Sequence, residues 1–245
     1  MAQYAFGSGT LWGINSAANS TPVRFGALQN VSLDFSANSK TLFGQYQFPL
    51  SVARGAISVK GKASFAQLSG RAINELFFGA TSAAGEIRAI EDEAGTVGST
   101  PFQITVANSA TWVTDLGVVK TSTGIPLTRV ASAPATGQYS VAAGVYTFAA
   151  ADTGIAMKVS YTYTVPTVGQ TISIANQAMG LANTFKSVVS LPYNGQKALF
   201  TLNACVSSKL TLQTQLEDFT KPSFDFDAFV DSSNNLGTIS LAEAG

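Results

Sequence analysis

From Ile155 to Val165 the chain alternates without a break. Ile155, Met157, Val159, Tyr161, Tyr163 and Val165 are apolar or aromatic, and Ala156, Lys158, Ser160, Thr162 and Thr164 between them are small or polar. Successive side chains of a strand point to opposite faces, so the pattern predicts a long strand with one buried face. The other face offers hydroxyls and a single charge, which suits contact with another surface better than open water.

The same period of two recurs on both sides. Val31, Leu33 and Phe35 alternate up to the polar run Ser36–Lys40. Tyr46, Phe48 and Leu50 alternate again, with Pro49 marking an edge or bend, and Ile57, Val59, Gly61 and Ala63 form a further run. Ser36–Arg54 therefore reads as a long polar-tipped hairpin or excursion, with Phe43 and Tyr46 beyond what a tight turn needs. Downstream, Asn194-Gly195 between Val188–Leu191 and Ala198–Val206 is the strongest hairpin signal. Phe224, Phe226, Ala228 and Val230 alternate once more, followed by a looser strand around Ile239 and Leu241.

One segment has a helical period. Phe65, Leu68, Ala72, Ile73, Leu76 and Phe77 recur at three- and four-residue spacing, Ser64 is placed to cap the start, and Gly79 to stop the end. Residues 80–100, rich in Gly, Ala and Thr around Glu91-Asp92-Glu93, read as a loop or inserted arm. The expected fold is mainly β: a β-sandwich or barrel with one packed α-helix over about 64–78 and long loop or arm excursions. A single β domain over 1–245 is expected, with 80–165 an inserted or elaborated section.

Composition changes the picture in one respect. Charged residues make up 11% of the 245, against about 25% in ordinary soluble domains. Charge keeps isolated proteins apart, so a charge-poor surface points to one that is covered in its working state. A polar, uncharged extracellular β protein would share this composition. Net charge is zero, yet unevenly spread. Residues 1–80 carry Arg24, Lys40, Arg54, Lys60, Lys62 and Arg71 against Asp34 and Glu75, and the tail from Glu217 carries Glu217, Asp218, Asp225, Asp227, Asp231 and Glu243 against Lys221. Head-to-tail stacking of copies would use such an arrangement; two solvated faces explain it more simply. Cys205 is alone, so no intrachain disulfide is expected, and strict alternation puts it opposite Ala198, Phe200, Leu202, Ala204 and Val206. The N-terminal residues lack the basic start and apolar run of a signal peptide, and no window approaches the roughly 18 apolar residues of a membrane helix.

Chemistry is sparse. The chain has no histidine, which removes Ser-His-Asp and Cys-His arrangements and most transition-metal sites. Asp225 and Asp227 share one strand face, but a glycosidase pair needs carboxylates held across a cleft. Asp231–Gly237 fails as a calcium loop, with Leu236 where glycine belongs. Gly55–Lys62 and Gly7–Gly13 miss the phosphate-loop and dinucleotide spacings. The basic residues are not interleaved with aromatics as in nucleic-acid binders. No enzyme, cofactor or metal site is expected.

The stretches Gly137–Val141, Gly144–Asp152 and Val159–Tyr163, together with the strand Val59–Ala63 leading to Phe77-Phe78-Gly79, resemble tail tube (major tail) proteins of tailed bacteriophages. Together they cover about two-thirds of the chain and contain no catalytic signature. The resemblance implies a β-sandwich whose sheets join those of neighbours. Six copies would form a ring, a homohexamer, and rings would stack into a tube that delivers DNA during ejection. It implies a virion (tail) location after synthesis in the bacterial host cytoplasm. The implied partners are further copies of the chain, other tail proteins (tape measure, terminator, baseplate or tip) and DNA in non-specific passage, with no membrane insertion. Ring and subunit contacts are expected from Lys40, Phe43, Tyr46 and Arg54 and from the terminal arms. A wall that DNA passes must not hold phosphate, and Asp34, Asp225 and Asp227 are expected there. The alternative is another virion or surface β module, a capsid decoration or carbohydrate-binding protein. A sugar platform would have to use Trp12 or Trp112.

Overall fold

In the computed structural model, residues 6–17, 19–67, 69–214 and 216–242 are described. Strands dominate, as the alternation predicts. They are β1 (Thr10–Asn15), β2 (Val23–Arg24), β3 (Leu28–Phe43), β4 (Pro49–Phe65), β5 (Ser82–Thr96), β6 (Gln103–Thr105), β7 (Trp112–Lys120), β8 (Thr128–Arg129), β9 (Gln138–Ala142) and β10 (Val145–Phe148). β11 (Ala156–Ile172), β12 (Thr184–Tyr193), β13 (Gln196–Thr211), β14 (Ser223–Phe229) and β15 (Gly237–Ser240) complete the set. Two compact units result: Met1–Thr81 joined by Ile172–Gly245, and Ser82–Thr171 between them. The second takes in most of the section read from the sequence as an elaboration.

The first unit is one sheet of eight strands, ordered β2-β1-β12-β13-β14-β4-β3, with β15 paired to β13. One face of it encloses a core of Leu11, Phe25, Val59, Phe65, Phe185, Val189, Leu202, Phe224 and Phe226. The rings interlock, Phe25 edge-on to Phe65 at 5.2 Å between centroids and Phe185 edge-on to Phe226 at 5.7 Å. Gly61 is required here: a Cβ on it would lie 2.1 Å from Cζ of Phe226, its partner across β4–β14. The ring fills the space that a side chain would take.

The helix is shorter than its periodicity suggests. Ser64 and Phe65 belong to β4, where Ser64 pairs with Ser223 and Phe65 is buried in the sheet core. Positions 59, 61, 63 and 65 satisfy the strand period, which wins because it buries Phe65 among other rings. Ser69, not Ser64, is the cap; its Oγ accepts from the Ala72 N–H at 3.3 Å. Gly70–Ile73 forms α1, continued by one π-helical turn, Asn74–Phe78, and closed by Gly79 in the left-handed region. Leu68 lies outside the described residues. Leu76 packs over Gly13 of β1, where a Cβ would come within 2.4 Å of its Cδ1, and Ser207 Oγ donates to the Leu76 carbonyl at 2.9 Å.

The Asn194-Gly195 turn is as expected, with both residues at positive φ and Tyr193 opposite Gln196. Cys205 is not where strict alternation puts it. The β12–β13 register steps from Phe185↔Cys205 to Ser187↔Leu202, two residues against three. This bulge turns Cys205 to the same side as Leu202, into the core. Burial pushes its thiol up to about 12, against a smaller lowering by the Ser187 N–H.

The second unit is a sandwich of two sheets, β6-β10-β9-β8 and β5-β11-β7. Met157, Val159 and Tyr161 of β11 pack with Val118, Ile104, Tyr139, Tyr146 and Phe148 between them, so the alternating stretch does bury its odd positions. Residues 82–96 are not a loop but the strand β5. Its acidic cluster has partners that only the fold supplies. Asp92 accepts from Lys158 Nζ at 3.0 Å, and Glu93 accepts from the Tyr161 hydroxyl at 2.6 Å and the Ala107 N–H at 2.9 Å. The hydroxyl face of β11 is used in the same way, Ser160 Oγ accepting from the Asp92 N–H at 3.1 Å.

Candidate assembly surfaces

The β3–β4 hairpin outgrows its core. Leu28–Leu33 and Val59–Phe65 line the first unit, but residues 34–58 are exposed without exception. This arm carries eight large apolar side chains in water: Phe35, Leu42, Phe43, Tyr46, Phe48, Leu50, Val52 and Ile57. Tyr46 is 73% exposed and Phe48 82%. An isolated soluble protein seldom leaves so many large apolar side chains of one hairpin uncovered. The polar run Ser36–Lys40 does not interrupt the strand. Pairing continues through Ser39↔Arg54, Thr41↔Val52 and Phe43↔Pro49, with a bulge in β4 at Gly55-Ala56.

Four of the sequence-predicted contact residues, Lys40, Phe43, Tyr46 and Arg54, therefore lie on this one arm, all exposed. Arg54 pairs with Ser39, on the face opposite Lys40. The terminal arms fall partly outside the described residues, which exclude 1–5 and 243–245. Two more apolar segments gave no periodic signal and were missed: Ile174, Met179 and Leu181 between β11 and β12, and Leu212, Leu216 and Phe219 between β13 and β14. Isolated apolar residues in polar loops were the only available cue.

The arm also edges the sheet. β3 pairs with β4 on one side and ends the strand order on the other, leaving a 16-residue strand with one unpaired margin. Long open edges invite pairing with another chain. A second opening lies beside β15. There Leu33, Phe35, Phe200, Leu202, Leu236 and Ile239 line an apolar cleft of about 120 Å³.

The three predicted aspartates come together on the outer face of the first unit. Asp34 on β3 stands opposite Lys60 on β4, and Lys60 opposite Asp227 on β14. One step along, Lys62 stands opposite Asp225, and Asp225 opposite Lys209 on β13. Asp34, Lys60, Lys62, Asp225 and Asp227 line a shallow cleft of about 390 Å³. Lys60 and Lys62, a third of the supposed basic front, thus face Asp225 and Asp227 of the acidic back within one chain. The uneven charge along the sequence is to this extent balanced inside the fold, and these four residues do not form two separate faces. Two further acidic residues of the tail have local partners: Asp218 accepts from Lys221 Nζ at 3.0 Å, and Asp231 builds a turn. Its Oδ1 accepts from the Ser233 and Asn235 N–H groups at 2.9 Å each, holding its carboxyl below the usual range. Glu243 lies outside the described residues.

The second unit holds a polar centre that sequence reasoning missed. Asp115, its side chain 4% exposed, accepts from the Tyr139 hydroxyl at 2.7 Å, the Tyr146 hydroxyl at 3.1 Å and the Gly117 N–H at 3.0 Å. Arg129 Nη1 lies 3.6 Å away. Burial raises both phenols well above the ordinary tyrosine range, and the Asp115 carboxylate adds to the rise. Trp112 Nε1 donates to the Tyr146 hydroxyl at 3.4 Å. Every member has partners, so the group works as a polar core, and Trp112 is part of it. Trp12 is likewise part-buried, in β1.

No cluster of three or more Cys, Asp or Glu capable of holding a metal ion occurs among the described residues, and none of their helices is long and apolar enough to cross a membrane. In comparisons with known proteins, the chain matches no family model and no curated protein sequence.

Proposed function

We propose that the protein is a structural, non-catalytic subunit that assembles with copies of itself into stacked rings, the tail tube of a bacteriophage through which DNA passes. The observation that carries this reading is the β3–β4 arm, a paired hairpin that projects eight large apolar side chains beyond the core. A second surface must cover them for the exposure to be tolerated. The open margin of β3 supports the same reading, because joining sheets between subunits removes the edge. So does the low charge content of the chain. Virion location and contacts with other tail proteins follow from this reading.

The test is assembly of the purified chain at neutral pH. Negative-stain electron microscopy should find rings or tubes with a central hole, and deletion of Ser39–Gln45 should leave a folded subunit that stacks poorly. A species that stays monomeric by light scattering over a wide concentration range, with empty grids, would overturn the reading. Tubes of normal length from the deletion variant would remove the arm from it.

A further inference from the structure

The outer face of the first unit's sheet carries charges that alternate in sign from strand to strand. Reading across the strands, one row runs Asp34, Lys60, Asp227 and the next Ser32, Lys62, Asp225, Lys209. Three lysines and three aspartates alternate, giving a local charge of zero. Yet none of the six takes part in an ion pair within 4.0 Å; the ion pairs among the described residues all lie elsewhere. Asp34, Lys60, Lys62 and Lys209 are exposed, and Asp225 and Asp227 half-buried. Solvated charges at cross-strand distance attract by no more than about 1 kcal/mol each.

The order does determine the field above the face. Neighbouring strands are about 4.8 Å apart, well inside the Debye length of about 8 Å at physiological ionic strength. Each lysine is therefore paired with an opposite charge within the distance at which a passing phosphate would sense it. Without the carboxylates, Lys60, Lys62 and Lys209 would form a compact cationic patch, and cationic patches hold polyanions through counterion release. Lys60 and Lys62 sit two apart on β4 as Asp225 and Asp227 do on β14, so the neutralisation repeats along the strand. Asp225 Oδ1 is buried with no hydrogen-bond partner.

We propose that Asp34, Asp225 and Asp227 serve as built-in counter-anions for Lys60, Lys62 and Lys209, so that this face meets nucleic acid without retaining it. The charge balance is a property of the folded subunit; only the meeting with DNA rests on the tube reading. It differs from a simply acidic wall, because the lysines are kept and masked.

The test is fluorescence anisotropy of a labelled 30-base-pair duplex titrated with the full chain or its variants. The triple variant Asp34→Asn, Asp225→Asn, Asp227→Asn should bind at least about tenfold more tightly than the unaltered chain at 50 mM salt. Three unmasked lysines give a slope of log K against log salt near about −2.7 per subunit, a loss of about 40-fold between 50 and 200 mM. Adding Lys60→Gln and Lys62→Gln should return most of the gain. Asp34→Asn alone, on the exposed edge strand, leaves the core untouched and should steepen the slope by about 0.9. The proposal is overturned if the folded triple variant and Asp34→Asn both bind no better than the unaltered chain, or if the gain survives loss of the lysines. Rings in the microscope without a gain would overturn it and leave the assembly reading standing. A gain in a subunit that never assembles would do the reverse.

Discussion

The two units treat their aromatic residues differently. In the second, Tyr139, Tyr146, Phe148 and Tyr161 are all buried, and the three tyrosine hydroxyls bond to Asp115 or Glu93. In the first, five phenylalanines form the core, while Phe35, Phe43, Tyr46, Phe48, Phe219 and Phe229 stand exposed. Every exposed aromatic residue among those described lies in the first unit. Burial of apolar surface drives folding and association alike. The exposed rings of the first unit are apolar surface that association would bury, and the second unit has no such rings among its described residues.

The contrast is tested most forcefully at Phe226, where the first unit's completed core is concentrated. Its ring lies over Gly61 and against Phe185 and Phe224. Phe226→Ala should lower the unfolding free energy of the first unit by about 3–5 kcal/mol, read from urea denaturation. A loss below about 1 kcal/mol would mean that the Gly61 seat is not a packed site.

A smaller effect is expected from alkali in the second unit. Tyr139 and Tyr146 start from an ordinary value of 10.0 and are raised in the folded state. Above pH 10 the unfolded chain loses these protons while the folded chain keeps them, so the unfolded state binds fewer protons. Stability is therefore full below pH 10 and falls above it, by up to about 1.4 kcal/mol per pH unit for each phenol. Tyr139→Phe should make the slope shallower by one proton's worth. Near-ultraviolet circular dichroism between pH 9 and 12 would follow this, and an unchanged slope in the variant would remove Tyr139 from the buried network.

How much of this was legible follows from the range of the interactions. The alternation of β11 and the Asn194-Gly195 turn are local, and both were readable from a few neighbours. Phe65 fits a period of two and a period of 3.6, and only the rings around it decide between them. The bulge at Asn203-Ala204 inverts the face of Cys205, and it is visible only against the register with β12. β5 reads as a loop because Gly85, Ala94 and Gly95 weaken its alternation; its order comes from β11 and from Lys158 and Tyr161, more than sixty residues away. Asp225 and Asp227 of the outer face are legible as a spacing on β14. Their lysine partners required the pairing of β4 with β14, which no local pattern contains.

The smallest effect on the subunit belongs to the arm, and there the comparison of the two units is most exposed to refutation. Phe48 touches no core cluster and is 82% exposed, so Phe48→Asp should change unfolding free energy by no more than about 0.5 kcal/mol. The same substitution puts a charge on a surface that association would dehydrate, and an unpaired charge in an apolar contact costs several kcal/mol. Assembly should therefore fail in a chain that is as stable as its parent. Analytical ultracentrifugation beside thermal melting separates the two quantities. Loss of both would show that the arm stabilises the subunit itself. Loss of neither would show that its apolar side chains are exposed for a reason other than association.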